Sequence, residues 1–383
     1  MAASETAPLT GRRIRVAVIG TGAIARDSHL PALARLAEEG ETELVAAVDV
    51  DAASVESFRA EAGGALRGYT DLERMLAAER PDLVVICTPP TLHRDQTVAA
   101  LRAGAWVWCE KPPVPSLADF DAIEAEEGRS GGPYASIVFQ HRFGSGTRHV
   151  RRLLAEQAMG RALVAHCQTT WHRDSAYYAV PWRGRWRTEG GGPAMGHGIH
   201  QMDLLLDLLG PWSEVRAMAG RLVHDIETED VSTALVRLAN GAMATVVNSV
   251  LSPDEVSRIR IDCERATVEL THLYGHRNDD WRIAPARDVP DAEAAAWQDF
   301  GADVPSSHLA QLRELVASMR AGERPRSSGA DGRTSLELIA ALYKSAFTDA
   351  TVRAGEIGPG DPFYAAMHGD APGWAPAGEE AAA

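Results

Sequence analysis

Short apolar runs alternate with amphipathic stretches over the first 139 residues of the chain. The apolar runs predict five strands, which lie at residues 14–20, 43–49, 82–88, 105–110 and 134–140. Their nearly continuous apolar character is typical of parallel strands that are covered on both faces. The stretches between them have helical spacing and mostly end at Gly or Pro; they lie at 30–40, 52–64, 71–81 and 97–104. Repeated strand–helix units predict a doubly wound α/β sheet, a Rossmann domain, over residues 1–139, with 1–12 as a flexible lead.

The pattern changes after residue 139. Residues 231–250 contain two strand-like runs around Asn240-Gly241, which favours a hairpin with a type I′ turn, and 256–270 continues the antiparallel theme. Helices are predicted at 144–157, 194–209, 306–321 and 333–349. We therefore predict a second, α+β domain with a largely antiparallel open sheet over 140–368. Residues 369–383 are rich in Ala, Gly, Pro and Glu, which predicts a disordered tail.

Composition excludes several classes of protein. The net charge of −15 disfavours a nucleic-acid surface, which needs clustered Lys and Arg. No stretch approaches the roughly 20 apolar residues of a membrane helix, and the first residues do not have the pattern of a secretory signal. The four cysteines are far apart and form no CxxC pair, which favours free thiols and a cytoplasmic location.

A dinucleotide-binding signal follows the first predicted strand. The motif Gly20-Thr21-Gly22-Ala23-Ile24-Ala25 is a GxGxxA sequence that opens a predicted helix. In such motifs the first Gly permits a tight turn, the second lets the backbone approach a pyrophosphate, and Ala packs the helix against the strand. Asp49 ends the second predicted strand, where a carboxylate accepts hydrogen bonds from ribose hydroxyls and repels a 2′-phosphate. The sequence therefore predicts NAD as cofactor, in preference to NADP.

Two further motifs follow later strands, and together these features resemble the Gfo/Idh/MocA oxidoreductases. The motifs are Thr88-Pro89 with His93, and Glu110-Lys111-Pro112; residues 142–143, 190–205 and 331–346 also resemble family segments. The resemblance implies that Thr88, Pro89, His93, Glu110 and Lys111 contribute to the cofactor site. It also implies NAD(P)-dependent chemistry on sugars, cyclitols and related polyols, without a metal. The family's open sheet supports oligomers, so a homodimer or homotetramer is expected.

The octet at 196–203, GHGIHQMD, is the candidate acid/base segment. Its histidines and Asp203 share one side of a helix, which fits acid/base chemistry, ordinary core packing, or a His-x-x-His-x-x-Asp metal site. The resemblance favours the first hypothesis: Gly198-Ile199-His200 is similar to the family's G-x-H, with His200 as acid/base and Lys111 holding the substrate hydroxyl. The family usually has Asp where this chain has Gly196, so His197 is a candidate auxiliary group.

The segment at 171–187 combines five aromatic residues with four arginines. Aromatic faces suit the C–H face of a sugar ring, and arginines suit carboxylates, phosphates or dense hydroxyls. The alternative is packing and ion pairing at a subunit interface. The residues expected to bind substrate are Arg142, Trp182, Trp186, Arg187, His197 and His200.

The functional hypothesis is a dehydrogenase that transfers a hydride between NAD and a sugar, cyclitol or polyol. One alternative is an enzyme that uses bound NAD transiently to cleave glycosides. Another is a nucleotide-binding regulatory protein without turnover, which the Gly at position 196 keeps open.

Overall fold

The computed structural model describes residues 9, 11–128 and 131–376. These residues form two compact units. Unit 1 contains the described residues up to Val114, those of Asp119–Val138, and His308–Gly332. Unit 2 contains Pro115–Ala118, Phe139–Ser307 and the described residues from Arg333 onward.

Fourteen strands form two sheets among the described residues. Their bounds are β1 Ile14–Ile19, β2 Thr42–Val48, β3 Arg67–Tyr69, β4 Leu83–Ile86, β5 Trp106–Cys109, β6 Ala135–Ile137, β7 Ala162–His172, β8 Trp212–Gly220, β9 Val231–Leu238, β10 Met243–Ser249, β11 Leu251–Cys263, β12 Ala266–Thr271, β13 Trp281–Pro285 and β14 Val352–Arg353. The five predicted strands of the first half are confirmed as β1, β2, β4, β5 and β6, and the short β3 was not predicted.

Thirteen α-helices connect or cover these strands in the described chain. Their bounds are α1 Leu30–Glu38, α2 Ala52–Glu61, α3 Leu72–Glu79, α4 Pro90–Arg102, α5 Leu117–Glu126, α6 Ser145–Ala155, α7 Ser175–Tyr178, α8 Trp186–Glu189, α9 Ile199–Leu209, α10 Asp291–Trp297, α11 His308–Ala321, α12 Ala330–Thr348 and α13 Pro362–Ala365. Two π-helical turns, Ala25–His29 and Ala194–Gly198, run directly into α1 and α9. Turns of this kind occur often at functional sites.

The sheet of unit 1 is parallel throughout, with strand order β3-β2-β1-β4-β5-β6. The order reverses between β1 and β4, which is the switch point at which such sheets bind ligands at their carboxyl edge. Asp51 and Asp71 cap the helices that follow β2 and β3, because each carboxylate accepts a backbone N–H of the first turn. The predicted doubly wound Rossmann fold is confirmed.

Unit 1 is completed by a late segment of the chain. Helix α11 contributes Leu312, Leu315, Val316 and Met319 to the same apolar core as β1, β4 and β5. Residues 308–332 belong to the predicted second domain, whereas they lie in unit 1. A contiguous boundary at residue 139 cannot describe this return, because the contacts are formed between segments that are about 200 to 300 residues apart in sequence.

The sheet of unit 2 has eight strands in the order β13-β12-β11-β7-β10-β9-β8-β14. Every neighbouring pair is antiparallel except β7 and β10, which are parallel. The largely antiparallel α+β fold is therefore confirmed. One face is buried, with alternating apolar residues such as Val215, Val236 and Val246, while Leu235 and Met243 are exposed on the other face.

The hairpin of β9 and β10 is confirmed, but its turn differs from the predicted type I′. Leu238 N–H donates to the Ala242 carbonyl at 2.9 Å, and Gly241 N–H donates to the Leu238 carbonyl at 3.0 Å. Gly241 has φ +91°, while Asn240 does not have a positive φ. A type I′ turn needs positive φ at both central residues, so this is a three-residue loop with Gly in the left-handed position.

The ends of the described chain are partly anchored. Arg12, which ends the predicted flexible lead, forms a bidentate ion pair with Asp82 at 2.6 Å. Trp374, within the predicted tail, stacks on Phe347 with ring centroids 4.2 Å apart. Residues 1–8, 10 and 377–383 of these two predictions lie outside the described residues. In the part of the chain that the structure describes, no helix combines the length and apolar character needed to cross a membrane.

Candidate active site

The GxGxxA turn in unit 1 has the steric features that a dinucleotide requires. Gly20 has φ +84°, and a Cβ there would lie 2.8 Å from the carbonyl of Cys87, so only glycine fits. A Cβ at Gly22 would meet no described atom within 4 Å, so the backbone is open on that side. Ala25 is fully buried against the strand. Ala23 and Ile24 open the helix with exposed side chains, and its first amides are free of intrahelical partners.

Asp49 is held in place at the end of β2. Its Oδ2 accepts the backbone N–H of Thr21 at 2.8 Å and the Thr21 hydroxyl at 3.1 Å, and its Oδ1 accepts the N–H of Asp51 at 3.1 Å. The nearby Arg26 is engaged by the carbonyls of Thr21 and Ser54 and by Glu61. This combination of a fixed carboxylate and an occupied guanidinium suits free ribose hydroxyls better than a 2′-phosphate.

The Thr88–Pro89 motif lies at the turn between β4 and α4, and His93 is a buried residue in the first turns of α4. Pro89 is exposed and precedes the first residue of α4. The buried His93 ring has Nε2 2.7 Å from the Thr88 carbonyl and Nδ1 3.0 Å from the Pro112 carbonyl. Burial lowers the pKa of His93, so the neutral ring donates to one side at a time. His93 therefore connects two turns and does not present its ring at the surface.

Glu110 is buried at the end of β5, where two histidines donate to it. Its Oε1 lies 2.7 Å from His29 Nε2 and 3.2 Å from His308 Nε2, and its Oε2 accepts the Lys111 N–H at 3.2 Å. Burial opposes ionisation, but the hydrogen bonds from the two histidines hold the pKa of Glu110 well below its ordinary value. Burial also lowers the pKa of His29, so the Glu110 carboxylate faces a neutral His29 ring.

The ligand atoms of the same three side chains lie within 4.8 Å of one another, so the group is a candidate metal site among the described residues. The 2.7 Å separation of His29 Nε2 and Glu110 Oε1 is a hydrogen-bond distance. Two ligands that each bind a cation at about 2.0–2.2 Å in tetrahedral geometry would lie farther apart than this. The group therefore joins the π-helical turn Ala25–His29 to the turn that holds Lys111.

In unit 2, His200 lies at the start of α9 among other rings. Its imidazole centroid is 5.1 Å from that of His141 and 5.6 Å from that of Tyr274. His141 in turn stacks on His276 at 4.1 Å. Burial lowers the pKa of His276 to about 4, so this neighbour is neutral at physiological pH. The cluster gives His200 an aromatic surrounding.

The two glycines before His200 differ in the space around them: Gly198 is tightly packed, and Gly196 is open. A Cβ at Gly198 would overlap the amide of the buried Asn248 from β10, which explains the glycine of the G-x-H motif. A Cβ at Gly196 would meet no described atom within 4 Å outside the adjoining residues. His197 lies beside this space, and its ring packs edge-on against Trp171 at 5.0 Å.

Arg142 and Asp203 form a buried pair, which corrects the expectation that Arg142 binds substrate. Arg142 Nε donates to Asp203 Oδ2 at 2.7 Å, and Nη2 donates to Oδ1 at 2.6 Å. The Ser335 hydroxyl also donates to Oδ1 at 2.9 Å. Burial raises the pKa of Asp203 to about 6, against the lowering effect of Arg142. The guanidinium is directed into unit 2, and a bidentate partner already occupies it.

The aromatic and arginine-rich segment at 171–187 contains both buried and exposed side chains. Trp186 is buried and packs on Tyr343 and Phe347, with ring centroids at 5.3 and 6.0 Å. This packing corrects the expectation that Trp186 binds substrate, because its ring belongs to the core of unit 2. Trp182 and Arg187 are exposed, and the Trp182 ring stacks under the Arg183 guanidinium at 4.1 Å.

Three ring residues near His200 were not predicted from the sequence. His141 directly precedes the Arg142-Phe143 pair, while Tyr274 and His276 lie in the loop after β12. The sequence gives no spacing that links these loops to the octet, since the contacts of His200 with His141 and Tyr274 span 59 and 74 positions. A His directly before a noted family segment was the available signal for His141.

Comparison with known proteins covers both units. Residues 14–135 match the model of the oxidoreductase family with an NAD-binding Rossmann fold. Residues 147–269 match the model of the GFO/IDH/MocA C-terminal domain. D-apiose dehydrogenase of Paraburkholderia graminis is 31% identical over 365 residues, which cover 90% of each chain. D-glucoside 3-dehydrogenase of Escherichia coli is 26% identical and covers 90% of this chain and 98% of its own.

Solved structures give the same match. The WlbA dehydrogenase of Chromobacterium violaceum, in complex with NADH and UDP-GlcNAcA, aligns with a TM-score of 0.80 and 27% identity. The alignment covers 93% of this chain and 100% of that one. Levoglucosan dehydrogenase in complex with NADH aligns with a TM-score of 0.78 at 17% identity, which shows a shared fold.

Proposed function

Because the chain belongs to the GFO/IDH/MocA family of NAD-binding oxidoreductases, we propose that it interconverts a hydroxyl and a carbonyl group of a sugar, cyclitol or related polyol. The observation that carries the proposal is the dinucleotide turn of unit 1. There Gly20 is required by close packing, Gly22 is open, and Asp49 is fixed at the end of β2. The named activities of the similar proteins, on D-apiose, D-glucosides and myo-inositol, support this substrate class.

The residues at the two sites suit different parts of this reaction. The residues that hold the cofactor are Gly20, Thr21, Gly22, Ala23, Ile24, Ala25 and Asp49, with Thr88 and Pro89 at the next turn. NAD supplies the hydride acceptor or donor when it is bound. Lys111 orients the substrate oxygen, and the hydrogen bond of its own N–H to Glu110 supports its backbone.

His200 takes the hydroxyl proton during oxidation and returns it during reduction. An imidazole suits this role at neutral pH because its ordinary pKa is near 6.5. The space at Gly196 lies beside His197, so a substrate group or water fits where relatives of this family carry a carboxylate. His197, Trp182 and Arg187 remain candidates for substrate contact in unit 2.

A substrate screen tests the proposal directly. Sugars, glycosides, nucleotide sugars and cyclitols are offered with NAD and with NADP, and reduced nicotinamide is followed by absorbance. We expect at least one compound to reduce NAD with the wild-type protein and not with His200→Ala. If no compound is turned over, the proposal fails. Glycoside cleavage without net NAD reduction would instead favour the NAD-using hydrolase.

We further propose that the protein is a cytoplasmic homo-oligomer. All four cysteines are free, three of them buried, which suits a reducing compartment. The uncovered face of the unit 2 sheet exposes Met218, Leu235 and Met243, which supports association with a second copy.

A further inference from the structure

A buried carboxylate, Glu229, lies at the start of the helical segment that carries His200. The side chain is completely buried in unit 2. Its Oε2 accepts the Gly192 N–H at 3.0 Å, and its Oε1 accepts the Ala194 N–H at 3.0 Å. The Tyr343 hydroxyl donates to the same Oε1 at 2.9 Å. Glu229 thereby satisfies amides that a helix leaves without partners at its N-terminus.

The glycine run before the octet fits this carboxylate. A Cβ at Gly192 would lie 2.7 Å from Glu229 Oε2, and a Cβ at Gly191 would overlap the Tyr343 hydroxyl. Any larger residue at either position would push the carboxylate or the phenol away from the backbone. Glu229, two residues before β9, and the Tyr343 phenol of α12 therefore pack closely on the glycine run. Together they hold the backbone that leads into the π-helical turn.

The charge at this position affects the imidazoles that follow. The N-terminus of a helix carries about half a positive charge, which disfavours protonation of a histidine in the first turns. An ionised carboxylate at the same end offsets that charge. His197 lies in the π-helical turn itself, and His200 lies in the next turn. Glu229 is thus placed to raise the basicity of both rings.

The described contacts of the two imidazoles are with aromatic rings and one arginine. The rings around His200 belong to His141 and Tyr274. The rings around His197 belong to Trp171 and Tyr177, with Arg173 stacked over both.

The charge of Arg173 and the groups around Glu229 also bear on the two imidazoles. Arg173 pairs with Glu255 at 3.2 Å, so its charge is compensated. Around Glu229, the described contacts include the Tyr343 hydroxyl and the Tyr178 ring, and burial raises the pKa of both phenols above its ordinary value. Neither is charged at neutral pH.

We propose that Glu229 is a positioning residue for His200, which fixes the start of its helix and keeps its imidazole basic enough to take the substrate proton. This inference rests on the proposed acid/base role of His200. Burial raises the pKa of Glu229 to about 7, although its hydrogen bonds with Ala194, Gly192 and Tyr343 favour the ionised form. The influence of the charge on His200 is therefore fullest above neutral pH.

The test compares Glu229→Gln with Asp230→Asn in the full-length protein. Gln is isosteric, but it removes the charge and turns an NH₂ group toward one of the two helix amides. Asp230 is an equally buried neighbour whose carboxylate accepts the N–H groups of Leu222, Val223 and His224, away from the helix. Its loss costs stability in the same way and leaves the helix terminus unchanged.

The deciding readout is the titration of His200 by ¹⁵N NMR, with its signal assigned from its absence in His200→Gln. In Glu229→Gln we expect the imidazole pKa to fall by about half a unit or more. We expect the acid limb of kcat/KM to move to lower pH, with a lower plateau. Asp230→Asn should change neither, and Glu229→Asp, which keeps the charge, should restore most of both.

An unchanged His200 titration in Glu229→Gln would overturn the inference, as would an equal shift in Asp230→Asn. If Glu229→Gln does not fold, Glu229→Asp and Tyr343→Phe replace it. Tyr343→Phe removes a hydrogen bond that favours the ionised carboxylate, so it should lower the His200 pKa, whereas an unchanged or raised His200 pKa would contradict the inference. Absence of dehydrogenase activity in the wild-type protein would refute the proposed function, and the titration would still decide the role of Glu229.

Discussion

At the scale of single residues, His200 is the side chain on which the proposed chemistry depends. Replacement by Ala removes the proton acceptor, so we expect kcat to fall by roughly 10²–10⁴-fold while NAD affinity stays nearly unchanged. His197→Ala should give an intermediate loss if its ring assists, and almost none if it only packs on Trp171. Steady-state kinetics and fluorescence titration with NAD measure the two effects.

His172→Ala is the matched control, because this histidine is exposed at the end of β7 and is not among the proposed acid/base or substrate-binding groups. Full turnover by His200→Ala on the true substrate would refute the acid/base role. Loss of activity on treatment with a chelator would do the same, because the proposed reaction uses no metal.

The stability of the protein should depend on pH through Glu229. Burial raises its pKa from the ordinary 4.5 to about 7, so the folded state keeps a proton that the unfolded state loses between these values. The stability that this group contributes is fully present below pH 4.5 and is lost as the pH rises through 7. We expect the free energy of unfolding of the wild type, relative to Glu229→Gln, to decrease between pH 5 and 8.

The maximum slope for one proton is about 1.4 kcal/mol per pH unit. Urea denaturation at several pH values measures the difference between the two proteins. A difference that rises with pH would mean that the hydrogen bonds from the helix amides outweigh burial.

Local motifs predicted the residues that act through the backbone, but not those that act through distant partners. Gly20 and Gly22 were predicted because a turn between a strand and a helix is encoded within six residues. The ion pair of Arg142 with Asp203 was not predicted. The two residues are 61 positions apart, and the pair forms only when α9 packs on the core of unit 2. The sequence thus shows which chemical groups are available, and folding decides which of them are already occupied.

At the scale of elements, the turn after β2 should decide which cofactor binds. The Asp49 carboxylate is fixed by Thr21 and Asp51, and Arg26 is engaged elsewhere. We expect NAD to bind more tightly than NADP in the wild type. Asp49→Ser removes the charge that repels a 2′-phosphate, so the ratio of NADP to NAD affinity should rise by about tenfold or more.

Titration of both cofactors by intrinsic fluorescence measures these affinities. Asp51→Asn is the control, because the Asp51 side chain caps α2 and the substitution keeps the backbone N–H that holds Asp49. Equal affinities of the wild type for NAD and NADP would contradict the assignment.

Helix α11 should stabilise the dinucleotide-binding unit, although it follows most of unit 2 in sequence. Leu312 is completely buried in the core that it shares with β1 and β4. Leu312→Ala should lower the free energy of unfolding by about 2–5 kcal/mol, because it leaves a cavity in that core. In urea, NAD binding should be lost at a lower concentration than in the wild type.

The matched control is Ala317→Ser, at an exposed position of the same helix, which should change stability by less than about 0.5 kcal/mol. Unchanged NAD binding in urea for Leu312→Ala would argue against α11 as part of the unit.

Strands with strong local signals were predicted well, as the β9–β10 hairpin shows. The strand β7 was missed, because its place in the sheet depends on a parallel pairing with β10, about 80 positions away.

At the scale of the whole molecule, the order of the two folds followed from the change in periodicity near residue 139. A parallel sheet buried on both faces has apolar strands, while an open antiparallel sheet has alternating ones, and β9 shows this alternation from Val231 to Leu238. The return of residues 308–332 to unit 1 could not be predicted from this change in periodicity, because an amphipathic helix has the same pattern in either unit. Patterning therefore predicts what an element buries, but not against which partner.

The open face of the unit 2 sheet leads to the prediction for the assembled protein. Leu235 on β9 is opposite Thr245 on β10, and Met243, two positions before Thr245, is level with Val164 on β7. The exposed side chains of Leu235, Met243 and Val164 form an apolar strip on this face. Such a strip favours burial against a second copy. We expect light scattering at micromolar concentration to give at least twice the chain mass of 41.1 kDa.

A charge placed in this strip should separate the copies, because an isolated carboxylate is costly to bury. Leu235→Glu should therefore lower the measured mass toward that of one chain. Leu222→Glu, at an equally exposed apolar position in the loop after β8, should leave the mass unchanged. A wild-type protein of 41.1 kDa, or dissociation by Leu222→Glu as well, would show that the strip is not the interface.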